Sequence, residues 1–174
     1  MAAVAGANAS ARAGLLRRLA ALLYETLILA AMLITAGFAL SPFVSPGTAH
    51  PDSIALPGPT GRMASFAVLF GLGAWFYGWC WSRGRRTLPM KTWRIGLIGV
   101  DGSAVTPRQA LTRYVTAGIG PALALAVHVA FSSGPGAALA WPLFMLNWLW
   151  AIVDRDRQFL HDRLARTRLV SSPR

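Results

Sequence analysis

The chain has 174 residues, 55% of them hydrophobic and only 13% charged, with a net charge of +11. Soluble domains carry about 25% charged residues, so this composition excludes a large water-soluble core. The basic excess is also spread by segment rather than gathered into one patch, which argues against a nucleic-acid surface.

Residues 1–14 form an Ala/Gly-rich leader without periodicity, expected to be disordered. Four nearly charge-free stretches follow, at residues 19–40, 64–81, 114–131 and 137–153. A helix needs about 20 mostly apolar residues to cross the hydrocarbon of a bilayer, where the backbone must satisfy its own hydrogen bonds. The expected fold is therefore an all-α membrane protein with four transmembrane helices over residues 15–170, followed by a short tail at 171–174. At 22 residues and with Glu25 inside it, the first stretch is too long and too polar for a cleaved signal.

Sixteen of the 17 Lys and Arg residues precede span one, separate spans two and three, or follow span four. The loop after span one holds only Arg62, and the loop after span three none. Basic residues stay on the cytoplasmic side. Both termini and the segment between spans two and three are thus expected in the cytoplasm, with the protein in the inner cell membrane. That face would attract anionic lipid, at about 1 kcal/mol per basic residue.

The outer loop, Ser41–Met63, has five prolines and is expected to be irregular. Span two carries Ala67, Gly71, Ala74 and Gly78, small residues that permit close helix contact. Trp79, Trp81, Tyr114, Trp148 and Trp150 sit where an interfacial aromatic belt would lie. The single cysteine, Cys80, excludes an internal disulfide and reads as filler. In the central segment, Thr92–Val100 is strand-like and Asp101-Gly102 marks a turn. Thr106, Pro107 and Gln109 predict a capped helix start. Gly118, Gly120 and Pro121 predict a kink in span three, and the short link Ser132–Gly136 makes spans three and four an antiparallel hairpin. Asp154–Leu164 reads as a helical continuation of span four, and Thr167–Val170 as a strand able to pair with Arg94–Val100.

Glu25 is the only acidic residue within a span. A buried carboxylate costs at least about 2.5 kcal/mol on insertion scales, so it should face the bundle interior. Arg18 shares its helix face two turns earlier, about 10 Å away by the helical rise, too far for a direct pair; a cross-helix partner is expected. Two readings of Glu25 stand open: part of an ion or proton pathway, or a structural anchor paired with an arginine near the cytoplasmic surface. His128 reads as a packing or hydrogen-bonding residue, and Asn147 as an interhelical hydrogen-bonding group. Asn147, Asp154 and His161 recur every seven residues, a polar stripe that could line an approach from the cytoplasm. No metal-ligand spacing, phosphate-binding loop, cofactor motif or nucleophile–base arrangement is present in the sequence, so no enzyme and no cofactor is expected.

Leu16–Ala21, Lys91–Leu97 with Asp101-Gly102 and Arg113, and His161-Asp162 with Thr167 and Val170 together resemble the bacterial RDD family of membrane proteins, named for one arginine and two aspartates. By position, Arg18 would be the family arginine and Asp162 its second aspartate, while Glu25 stands in place of the first. The resemblance implies the membrane architecture, with transport a suggested role. Two functions then compete. One is a small cation/proton exchanger, working as an oligomer, with Glu25 as the ionisable site and Arg18 and Asp162 as its gate or charge partners. The other is a scaffold or accessory protein that binds a membrane partner through segment 82–113 and the tail.

Overall fold

A computed structural model of the chain describes residues 13–44, 57–131 and 134–171. Helix α1 covers Leu15–Val44 and α2 Pro59–Trp81; a five-residue helix α3, Leu88–Thr92, then leads into strand β1, Ile95–Gly99. Helices α4, Pro107–Ala117, and α5, Ile119–Ala130, follow, then the short pieces α6, Pro135–Ala138, α7, Ala140–Phe144, and α8, Leu146–Val153. Helix α9, Leu160–Leu164, and strand β2, Thr167–Ser171, complete the chain.

Three helical stretches, Leu15–Val44, Pro59–Trp81 and Pro107–Ala130, are long and apolar enough to cross a membrane. The fourth predicted span is not one straight helix: Gly136–Phe144 and Leu146–Val153 meet at 68°. Pro142 lies in that stretch, and proline has no N–H for the carbonyl four residues back. Gly120 of α5 presses on the break, where an added Cβ would sit 2.8 Å from the Leu143 carbonyl oxygen. Span three, where a kink is expected, is interrupted at Gly118, between α4 and α5.

Other expectations are corrected. The Ser41–Met63 loop is helical at both ends, because Pro42 falls in the last turn of α1 and Pro59 takes the first position of α2, where proline is tolerated. Residues 45–56 of that loop lie outside the described residues, as do residues 1–12 of the leader and 172–174 of the tail. Ala13, the leader's last alanine, is buried, and its N–H points to the Leu169 carbonyl. Ala67 and Gly71 face outward, and the buried face of α2 is instead Gly73, Tyr77, Cys80 and Trp81. The helical continuation after span four stops at Asp154, whose Oδ2 accepts the N–H groups of Asp156 and Gln158 and so starts a turn.

The capping box forms as the sequence predicts: Thr106 accepts the Gln109 N–H, and Gln109 accepts the Thr106 N–H. Strands β1 and β2 pair antiparallel, with Leu97 opposite Leu169. This ribbon is the only sheet among the described residues, joined by one isolated bridge from Ile98 to Ala104, on an otherwise helical fold.

The two halves of the chain repeat one another. In each, a helix ends, six residues pass, a five-residue helix forms, two residues turn, and a five-residue strand follows. Leu88 corresponds to Leu160 and Ile95 to Thr167, each 72 positions on. The turns match: Arg94 and Arg166 both take the left-handed conformation, φ 52° in each, an uncommon one for a residue with a side chain. The preceding long helices correspond at 92 positions. Arg17 reaches the Arg94 carbonyl, and Gln109 reaches the Arg166 carbonyl. Leu97 and Leu169, equivalent in the repeat, pair with each other, so a pseudo-twofold axis passes through the ribbon at that pair.

Candidate functional site

Helix α1 buries Arg18, Ala21 and Glu25 on one face. Thr87, the N-cap of α3, does two things: its oxygen accepts the Met90 N–H, and its hydroxyl donates to Glu25 Oε1 at 2.6 Å. Tyr77 of α2 donates its hydroxyl to the Glu25 backbone carbonyl at 3.2 Å. The Glu25 carboxylate also lies within electrostatic reach of Arg113, Asp162 and the Trp81 indole.

Arg113 of α4 donates from Nε to Asp162 Oδ1 at 2.7 Å, both side chains almost wholly buried. Its guanidinium lies over the Trp81 ring, 4.3 Å from the centroid. Asp162 on α9 is further held by the Thr167 hydroxyl at 3.4 Å. Next to it, His161 stacks on Phe159 with ring centres 5.6 Å apart, and its Nε2 stands 3.8 Å from Asp162 Oδ1. Arg18 donates to the Arg157 carbonyl at 2.7 Å, with its guanidinium over the other aromatic neighbour, Phe159.

Asn147 of α8 donates to the Ala117 carbonyl at 2.8 Å. The residue that would normally serve that carbonyl is Pro121, which has no N–H; the Asn147 side chain supplies the missing donor from across the bundle.

These groups converge on a cavity of about 300 Å³, to which Glu25, Arg113, Asn147 and His161 all contribute. A second cavity, of about 170 Å³, lies on the other side of Glu25 against Thr87 and Pro89. Only Glu25 and Tyr77 line both.

Of the sequence candidates, Glu25, Asp162, His161, Asn147 and Arg18 thus gather around one centre. Asp154 does not. It ends α8 and pairs with Arg163 at 2.9 Å near the surface, so the seven-residue stripe is broken at its middle member. His128 faces outward from α5. Trp81, Tyr114 and Trp148, expected in an interfacial belt, line the cavity.

The sequence pattern of the RDD family matches residues 12–166. The chain belongs to the RDD family. No curated protein and no solved structure matches it. In this RDD protein the buried arginine that meets Asp162 is Arg113, not Arg18. The sequence places Arg113 among the basic residues of the central segment and among those that resemble the family, but assigns it no partner. The available signal was periodicity, since Ala110, Arg113 and Ala117 recur on one face and place the arginine between two small residues, the first of them buried. Thr87, Tyr77 and Trp81 carried no comparable signal.

Burial pushes the His161 imidazole down to about 4, against an ordinary value of 6.5, with the Arg113 charge adding to the effect and Asp162 opposing it. An unfolded chain takes up this proton near pH 6.5, whereas the folded chain refuses it until about pH 4. The stability held by neutral His161 is therefore complete above pH 6.5 and lost as pH falls through that window, by about 3 kcal/mol. Apparent Tm measured from pH 8 to pH 4 should drop across this range, and His161→Gln should flatten the drop.

Proposed function

We propose that this RDD protein is a proton-coupled cation transporter of the inner cell membrane, with Glu25 as the ionisable group. The observation that carries the reading is the position of that carboxylate. It is buried between two cavities, held by one hydroxyl at 2.6 Å, with Arg113 and Asp162 in electrostatic reach. Ionisable groups at such depth mark ion paths and proton relays. The site also lies between the two repeat halves, where transporters built from repeats place their substrates. Arg113 and Asp162 neutralise each other, leaving the Glu25 charge to be met by a proton or a cation. The role is binding and exchange, not catalysis.

In this reading, spans one to three and the bent fourth pair all cross the bilayer. The β-ribbon, both termini and the Arg-rich segment 82–113 face the cytoplasm and anionic lipid. Reporters fused after residues 50, 100, 134 and 174 should then read out, in, out, in. In sealed vesicles, Glu25→Gln should reduce pH-gradient-driven cation flux at least tenfold. Flux at the wild-type level across pH would sink the proposal.

A second reading, assembly with another copy or a membrane partner through the ribbon side, is favoured by the exposed Leu88, Leu111 and Leu164 there. Crosslinking from that side should then capture one defined protein.

A further inference from the structure

The large cavity shows what kind of cation would suit it. Two of its buried polar atoms that lack a hydrogen-bond partner, Asn147 Oδ1 and His161 Nδ1, are acceptors, while a third, the Trp81 Nε1–H, is a donor beside the Glu25 carboxylate. Asn147 is buried and its Nδ2 is engaged by Ala117, which leaves Oδ1 unpaired. His161 is buried with Nδ1 unpaired. Its Nε2 faces the Asp162 carboxylate and is the natural place for the single ring proton, so Nδ1 presents a lone pair. Glu25 adds a carboxylate. A ligand complementary to this set donates hydrogen bonds and carries positive charge.

Apart from Thr26 and Arg113, whose charge is met by Asp162, the rest of the lining is mostly apolar: Phe70, Tyr77, Trp81, Tyr114 and Trp148 supply ring surface, and Leu22 and Leu29 alkyl surface. Aromatic faces attract organic ammonium groups. A bare metal ion would leave most of 300 Å³ of apolar space unused, whereas that volume is at the lower end of small-molecule sites. Among the described residues there is also no cluster of three His, Cys, Asp or Glu side chains able to hold a metal.

The pseudo-twofold axis explains the entrance. On one side of it α2 packs closely against α4. The equivalent contact on the other side would join α8 to α1, but no comparable packing joins α1 to α8 or to α5. Helix α8 is only the second limb of a bent pair and does not follow α1 as α2 follows α4. The resulting gap is flanked by the exposed residues Thr26 and Pro121, both on apolar helices long enough to lie in hydrocarbon.

We propose that this cavity binds a lipophilic protonated amine, which enters from the bilayer between α1 and α5, carries its ammonium to Glu25, Asn147 and His161, and lays its apolar body against the aromatic wall. The proposal names a substrate class for the transport site and so rests on that reading, but binding can be tested apart from flux.

The probe is 3-phenylpropylamine, cationic at pH 7, compared with its neutral isostere 3-phenylpropanol. Binding to the full chain in phosphatidylcholine vesicles is followed by tryptophan fluorescence, since Trp81 and Trp148 line the cavity. The amine should bind at least tenfold tighter than the alcohol. That preference should vanish in Glu25→Gln. Thr26→Trp, a change at an exposed position that leaves the buried cluster intact, should weaken amine binding at least tenfold by blocking the mouth. Equal binding of amine and alcohol, or a preference that survives both substitutions, overturns the proposal. Glu25-dependent flux of Na⁺ or K⁺ without amine binding would refute the amine and leave the transport reading standing. Glu25-dependent amine binding without any proton-coupled flux would do the reverse.

Discussion

Asp162→Asn is expected to destabilise the protein by about 3–5 kcal/mol, because it strips the counter-charge from an arginine that has no other route to water. Arg113 is 3% exposed and Asp162 1%, and the guanidinium is closed in by the Trp81 ring on one face. The apparent Tm in detergent or vesicles should fall by about 6–20 °C, taking 2–4 °C per kcal/mol for a chain of this size. Arg113→Met should do comparable harm from the other side, leaving a buried carboxylate alone. The double variant Arg113→Met/Asp162→Leu should recover most of the loss, since a well-packed apolar pair often replaces a buried ion pair at little cost. If the single variants melt with the wild type, the ion pair does not hold α4 to α9.

The second large effect concerns the halves. Residues 1–101 and 102–174, produced together as two chains, should co-purify, whereas either produced alone should accumulate at least tenfold less. A two-stranded ribbon is marginal by itself, and here each half supplies only one strand. Cutting at Gly102 severs only the turn in which Asp101 Oδ1 accepts the Ser103 N–H at 3.0 Å. Separating the halves removes the whole β1–β2 ladder, the α2–α4 packing and the Trp81 cover over Arg113. One half alone accumulating to the full-length level would show that the ribbon does not unite them.

Much of this was legible in the chain itself. Apolar runs located three spans, the Thr106–Gln109 box located the start of α4, and the β-branched runs at both ends of the ribbon predicted its pairing. Where the reading failed, proline and distance were responsible. Pro59 reads as a loop breaker although a first helical turn accepts it, and Pro142, inside an apolar run, gives no separate sign of the bend that forms around it. Interfacial placement suited Trp81 equally well by position; only the fold shows that its ring covers a guanidinium. Glu25 stood out because nothing else within the spans is acidic. Its neighbour Arg113 did not, since an arginine close to a helix start looks like every other basic residue on that side until α9 returns 49 positions later to meet it.

The pairing of halves has a consequence for where charge can reside. By the 92-position correspondence, Glu25 on α1 matches Ala117 on α4, and Arg113 on α4 matches Ala21 on α1. A true homodimer of such hairpins would have to install any acid or base twice, facing its own image across the dyad. Joined in one polypeptide, the copies are free to differ, so the carboxylate and the guanidinium each stand across from a methyl group, and a near-symmetric frame carries an asymmetric charge.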